Sequence, residues 1–162
     1  MVGEVGEKGI CFLTTTRHAL SRSAVHSSSM SFLIIVEPLD IPAPEMPQDN
    51  FLLGEWFEQL RAWWLYEKHL GDFQTMSEYW FLPSKQLGLT LMSFMDERIE
   101  ISAPEELEQF SKELDTLEAH WHTIRLPEWP PDFLETRLLE PMRFLREAIC
   151  VALEHRAVLI GS

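Results

Sequence analysis

Three side chains near the end of a predicted helix are of types that bind zinc. Glu118, His120 and His122 occupy alternate positions, and carboxylate oxygens and imidazole nitrogens are common zinc ligands. Residues two apart point in nearly opposite directions around a helix, so the histidines converge only if the helix has ended before them. No further Cys or His lies at a spacing that completes a recognised set. We therefore predict surface histidines and no cofactor, with His120 and His122 as the candidate ligands if a metal binds.

A cysteine and a histidine near the C-terminal end could form a thiol nucleophile and its base. Cys150 and His155 lie five residues apart, which is about 140° around a helix and directs the two side chains apart. The sequence also lacks a G-x-S-x-G turn, a glycine-rich phosphate loop and an H-E-x-x-H pair. Its 26 acidic residues offer too many pairs to single out an acid and a base. We predict no catalytic residue, and these patterns favour a protein that is not an enzyme without deciding the question.

Acidic residues are concentrated between Asp96 and Glu118. This segment contains nine acidic and two basic residues, a net charge of −7 in 23 residues. One interpretation is a solvated helix face that keeps the protein soluble. The other is a docking surface that attracts a basic protein and accelerates its association. The candidate contact residues of such a surface are Glu105, Glu106, Glu108, Glu113, Asp115 and Glu118.

Aromatic residues are the second component of the predicted docking surface. Large aromatic anchors carry much of the binding energy at protein interfaces. The candidates are Trp56, Trp63, Tyr66 and Trp129, which would lie inside the acidic rim. The alternative is that these side chains simply fill the core, because tryptophans are usually largely buried.

Hydrophobic periodicity predicts the elements that position these residues. Apolar spacings of three and four predict helices over 51–69, 104–121 and 132–156. Ser102 and Glu105 are predicted to form a capping box at the start of the second helix. Apolar runs and alternation predict strands over 31–37, 77–82, 87–95, 99–101 and 157–160. The segment 38–47 holds four prolines and is predicted to be an extended connector.

The order of these elements predicts an α+β fold. We expect a mainly antiparallel sheet of about four to five strands, with three to four helices packed on it in a single compact domain over 30–162. Residues 1–29 differ in composition, being rich in serine and poor in acidic residues. They are interpreted as a disordered tail or a mis-assigned start, because Met30 stands directly before a strong strand.

Composition excludes two classes of partner. With 13 basic and 26 acidic residues, the formal net charge is −13, which repels nucleic-acid phosphates. The longest purely apolar run, 32–36, is far shorter than the roughly 20 residues that span a bilayer. The two cysteines, Cys11 and Cys150, form no closely spaced pair, as in proteins of the reducing cytoplasm. We therefore predict a cytoplasmic protein that binds neither nucleic acid nor membrane.

Taken together, these features predict a small acidic interaction protein. Its sharper form is an immunity or inhibitor-type protein that masks a basic partner such as a nuclease toxin, whose phosphate-binding groove is cationic. One alternative is an enzyme or small-ligand-binding domain with an aromatic-lined pocket between sheet and helices. Another is a homo-oligomeric subunit, for instance a homodimer, with the Trp56 and Trp63 edge at its interface.

Overall fold

The structure is a computed structural model that describes residues 31–124 and 128–162. Within these ranges it contains one antiparallel sheet of four strands and five helices. The predicted α+β class is therefore confirmed, with one helix more than expected. The interpretation of residues 1–29 as a tail or a mis-assigned start lies outside the described residues.

The sheet is built around the most hydrophobic strand of the chain. Its strands are β1 (Ser31–Glu37), β2 (Tyr66–Asp72), β3 (Ile99–Ile101) and β4 (Val158–Gly161), in the order β2-β1-β4-β3. All neighbouring pairs are antiparallel. Strand β1 takes an interior position because residues 32–36 are all apolar, and both faces of an interior strand can be covered. The predictions of strands at β1 and β4 are confirmed.

Five helices surround the sheet. They are α1 (Leu53–Trp63), α2 (Phe73–Thr75, continued by π-helical Met76–Phe81 and α-helical Leu82–Leu87), α3 (Thr90–Ser93), α4 (Pro104–Ile124) and α5 (π-helical Leu134–Leu139 continued by Glu140–His155). A short 3-10 turn, Asn50–Leu52, precedes α1, and the Asp49 side chain accepts a hydrogen bond from the Phe51 amide there. The predicted helices that begin near 104 and 132 are confirmed as α4 and α5.

Alternation along β1 divides the interior into two cores. Ile34 and Val36 belong to the larger core, which also contains the buried side chains of α2, α4 and α5. Leu33 and Ile35 point to the opposite face of the sheet and pack with Trp56, Leu60 and Trp64. Helix α1 therefore covers one face of the sheet by itself, and the other helices cover the second face.

The helix predicted over 51–69 is too long, because its last part is a strand. Helix α1 ends at Trp63, and the chain turns so that Tyr66–Asp72 forms β2 along β1. Residues such as Glu67 and Lys68 have little intrinsic preference for a strand. Pairing with β1, which otherwise has an unpaired edge, overrides the helical spacing of the sequence.

The strands predicted over 77–82 and 87–95 are wrong, and so is the antiparallel meander built from them. These segments form α2 and α3. Met76 and Trp80, four residues apart, are both fully buried, as expected on one face of a helix. Strand β3 exists, but it pairs with β4 instead of forming a hairpin with residues before it.

Helix α4 begins at Pro104, and the capping box of Ser102 and Glu105 stays a prediction. The amides of Glu106 and Leu107 both donate to the carbonyl of Ala103, at 3.0 Å each. The carbonyl of Ala103 therefore accepts the first backbone hydrogen bonds of α4.

Candidate functional site

The acidic residues of α4 do not form one exposed face. Glu106 and Glu113 are buried, with only 5% and 7% of their surfaces exposed. Asp115 and Glu118 both contact Arg146 of α5, at 2.8 and 3.4 Å. Of the six predicted contact residues, two are thus turned inward and two share a cation. Glu105 and Glu108 are exposed, and the binding of a partner by any of the six residues stays a prediction.

Glu113 has a structural role at the N-terminus of α3. Its carboxylate accepts hydrogen bonds from the backbone amides of Leu91 at 3.1 Å and Met92 at 2.9 Å. The Thr90 hydroxyl donates to it at 3.0 Å and the Gln109 amide at 3.4 Å. A carboxylate is favoured here because the first amides of a helix have no partner within that helix. Glu113 therefore fixes α3 against α4 and is not available to an outside partner.

The carboxylate of Glu106 is buried without a hydrogen-bond partner among the described residues. Burial raises the pKa of Glu106 above its usual value, and the neighbouring charge of Glu105 raises it further. The ionised side chain is consequently a source of instability in this part of α4.

We expect Glu106→Gln to stabilise the protein at neutral pH. Folding raises the pKa of the Glu106 carboxyl. The ionised form therefore destabilises the folded protein at pH values above the pKa of the unfolded chain. This destabilisation disappears when the pH falls below the unfolded pKa. The free energy of unfolding should increase by about 1 kcal/mol, because a neutral amide costs less to bury than an ionised carboxylate. Urea denaturation checks this, and the gain should vanish below about pH 4, where the carboxyl is protonated in both states.

An equal gain from Glu105→Gln, the exposed neighbour, would show that the effect comes from net charge and not from burial. That result would contradict the assignment.

Two of the predicted aromatic anchors lie together on α1, beneath the proline-rich segment. The indole N–H of Trp56 donates to the carbonyl of Pro44 at 3.1 Å, and that of Trp63 donates to the carbonyl of Ile41 at 2.9 Å. Trp56 is buried and Trp63 is half-buried. These side chains hold the connector, defined here as residues 38–49, against α1.

The other two predicted anchors lie elsewhere. Tyr66 is on the opposite face of the sheet, where its hydroxyl donates to Glu147 of α5 at 2.8 Å. Burial raises the pKa of the Tyr66 hydroxyl, and the hydrogen bond to Glu147 adds to the effect. Trp129 packs on Tyr79 and Phe133, with ring centroids 5.6 and 5.0 Å apart. The four aromatic residues therefore do not converge inside an acidic rim on α4.

The candidate metal ligands lie within a continuous helix. His120 and His122 are both part of α4, which extends to Ile124, so their side chains diverge. His120 is half-buried and His122 is exposed. Across residues 31–124 and 128–162, no group of three or more His, Cys, Asp or Glu side chains is arranged to hold a metal ion. Cys150 is exposed on α5.

The connector, which the sequence predicts only as an extended linker, presents an exposed surface. Large apolar side chains are exposed along it and at the start of α1: Leu39 (59%), Ile41 (58%), Met46 (47%), Phe51 (94%) and Leu52 (47%). Exposed acidic residues alternate with them: Asp40, Glu45, Asp49, Glu55 and Glu58. The sequence contains no Lys or Arg from 38 to 60. We call the exposed side chains of residues 39–58 the connector surface.

The sequence of the connector contains apolar and acidic residues between its prolines, and this composition is the only sequence feature that indicates the surface. Loop apolar residues usually pack inward, so that mixture alone does not show which side chains face solvent. The structure shows it, because the indole hydrogen bonds fix which side of the connector faces α1.

No described helix is both long and apolar enough to span a bilayer. Comparison with protein-family models, with curated proteins and with solved structures finds no match for this chain.

Proposed function

We propose that this protein is a binding protein that docks a basic protein partner on the connector surface. The observation that carries the proposal is that large apolar side chains and five carboxylates are exposed together on the connector and the start of α1, in a stretch with no Lys or Arg from 38 to 60. The partner class is the one that the charge of the whole chain favours, and a cationic enzyme such as a nuclease is an example of it. The docking surface, however, lies on the connector and α1 and not on α4.

The composition of the connector surface suits a protein interface. Phe51, Ile41 and Leu39 expose more than half of their surfaces, and contiguous exposed apolar groups on soluble proteins commonly mark binding sites. Five carboxylates with no Lys or Arg between 38 and 60 give this surface a negative field. Such a field steers a basic partner to the surface and rejects acidic proteins.

The connector surface is also held in one conformation. Prolines fix φ at positions 38, 42, 44 and 47 and restrict the residue before each of them. The hydrogen bonds from Trp56 and Trp63 then tie the backbone to α1. A preorganised surface loses little conformational entropy when a partner binds, which increases affinity.

Helix α4 provides a matched reference surface. Glu105 and Glu108 are exposed there, as Glu45 and Glu55 are on the connector surface. Glu55 and Glu105 both lie in the first turn of a helix, so reversing either charge has a similar effect on helix stability. Charge reversal at the two sites changes the net charge of the protein equally.

We expect Glu45→Lys/Glu55→Lys to weaken partner binding by at least roughly tenfold, because it places positive charge on the docking surface of a basic protein. The full-length chain is used to capture proteins from the cells that produce it. A captured protein is identified by mass spectrometry, purified and measured by surface plasmon resonance at several salt concentrations. Its isoelectric point should be basic, and the variant should show a flatter salt dependence of the association rate.

The control is Glu105→Lys/Glu108→Lys, which should change the affinity by less than about threefold, since rim or remote charges contribute little. Equal weakening by both variants would mean that only net charge matters. A larger loss in the α4 variant would place the interface on α4, and an acidic captured protein would contradict the partner class.

A further inference from the structure

The two indole hydrogen bonds have a regular geometry. Trp56 and Trp63 are seven residues apart on α1, which is two helical turns or about 10.5 Å along the axis. The carbonyls that they bind belong to Ile41 and Pro44, three residues apart. Three residues make one turn of a polyproline II helix, about 9.3 Å long. The spacing of the indoles on α1 thus matches the repeat of an extended proline-rich segment.

The sequence of the bound segment favours that extended conformation. In the stretch 41–47, Pro42, Pro44 and Pro47 have fixed φ angles, and the residue before each is restricted to extended backbone. Pro42, Glu45 and Gln48, three residues apart, are all exposed, as expected on one edge of a polyproline II helix, and Ile41 and Met46 are exposed as well. Ala43, Pro44 and Pro47 are half-buried.

We propose that α1 carries a binding groove for extended proline-rich peptides, which the connector occupies as an intramolecular ligand. The tryptophan groove is the surface of α1 formed by Trp56, Trp63 and the adjacent Phe57, whose ring centroid lies 5.0 Å from that of Trp56. Its ligand class is a segment of the pattern apolar-Pro-small-Pro on another protein. Aromatic-lined surfaces that take up such segments exploit their low conformational entropy.

The recognition uses backbone groups of the bound segment. Both indoles donate to main-chain carbonyls and not to side chains. Any extended segment that presents two carbonyls one polyproline turn apart can make the same two bonds. The groove therefore selects a conformation and a proline spacing more than a particular sequence.

The connector is able to leave the groove without disturbing the sheet. It is joined to β1 at Glu37 and to the 3-10 turn at Asn50, so the twelve residues between them can lift as a loop. Many of its side chains, including Leu39 and Met46, are already exposed. Because it is tethered, the connector competes at an effective concentration on the order of millimolar. The groove is closed in the resting protein and opens to a competing segment.

This inference rests on the indole hydrogen bonds, whereas the proposal of a basic partner rests on the exposed side chains of the connector surface. Its test uses a synthetic peptide of residues 40–48 as the probe. In one variant of the full-length chain, residues 40–48 are replaced by a glycine-serine linker of equal length. In a second, specific protease sites are placed on both sides of residues 41–44, so that the protein folds first and the segment that binds the two indoles is then cut out.

We expect the peptide to shift the indole N–H resonances of Trp56 and Trp63 saturably in both opened proteins. In the intact protein its apparent affinity should be at least roughly tenfold weaker, because the tethered connector competes. A control peptide with alanine at the three proline positions should bind the opened proteins more weakly, because its unbound chain is less ordered.

Opened proteins that also carry Trp56→Phe/Trp63→Phe keep aromatic rings but cannot donate the two hydrogen bonds, and they should not bind the peptide. Because these variants lack the two indole N–H groups, binding to all opened proteins is also measured by the fluorescence anisotropy of a labelled peptide. The proposal is overturned if neither opened protein shows a saturable shift, or if the double phenylalanine versions bind equally well. Because the second variant keeps Ile41–Pro44 in place while it folds, a folding defect in the linker variant leaves the test intact.

Discussion

Replacing Trp121 with alanine should lower the free energy of unfolding by about 4 kcal/mol, the range for removing a large aromatic side chain from a core. Trp121 lies on α4 and is fully buried. Its ring packs edge-on against Trp80, with centroids 4.8 Å apart, and its indole N–H donates to the carbonyl of Tyr79 at 2.7 Å. The substitution therefore leaves a cavity and an unpaired carbonyl at the junction of α2 and α4.

Urea denaturation followed by circular dichroism measures this loss. His122→Ala is the matched control, because His122 is the next residue of the same helix and is exposed. This substitution should alter stability by less than about 0.5 kcal/mol. Trp121→Phe retains part of the packing and loses the hydrogen bond, so it should fall between the two. A Trp121→Ala protein as stable as the His122→Ala protein would show that α2 and α4 do not share this core.

Replacing Glu113 with alanine should lower the free energy of unfolding by about 3 kcal/mol, because removing a charged acceptor leaves buried donors unsatisfied. The substitution leaves the amides of Leu91 and Met92 without the partner that they have in the structure. It also removes the only carboxylate link that the structure describes between α3 and the middle of α4. The damage should be concentrated at α3, which has four residues and little stability of its own.

Two measurements are needed for this second variant. Urea denaturation gives the overall loss, and hydrogen exchange should show faster exchange of the Leu91 and Met92 amides. Glu108→Ala, at an exposed position of the same helix, is the control and should change stability by less than about 0.5 kcal/mol. Unchanged exchange at Leu91 and Met92 would contradict the capping role, even if overall stability fell.

The location of the acidic surface illustrates what a linear charge count omits. The sequence correctly shows an excess of acidic residues between Asp96 and Glu118. It does not show that Arg146, which is 28 residues beyond Glu118, lies against that carboxylate. Helical periodicity also does not predict that Glu113 is buried. Glu113 binds the amides of Leu91 and Met92, which belong to a short helix where the sequence pattern predicts a strand.

The tryptophans of α1 were identified as a candidate partner-binding edge, and the structure gives them an intramolecular ligand. Their helical spacing is evident in the sequence, as are the prolines of the connector. That the indoles bind the carbonyls of Ile41 and Pro44 depends on the direction in which the connector crosses α1. The spacing of two sets of residues was predictable, but their contact was not.

The sequence by itself determined the α+β class, the central strand β1, the last strand β4 and the long helices α4 and α5. Each of these elements has a strong local signal, either a continuous apolar run or a sustained helical stripe. Only the tertiary structure decided that residues 66–72 form a strand and residues 73–93 form helices. The reason is physical: β2 is stabilised by the edge of β1 that it pairs with, and Met76 and Trp80 are buried by α4 and α5. Such distant partners override weak local preference.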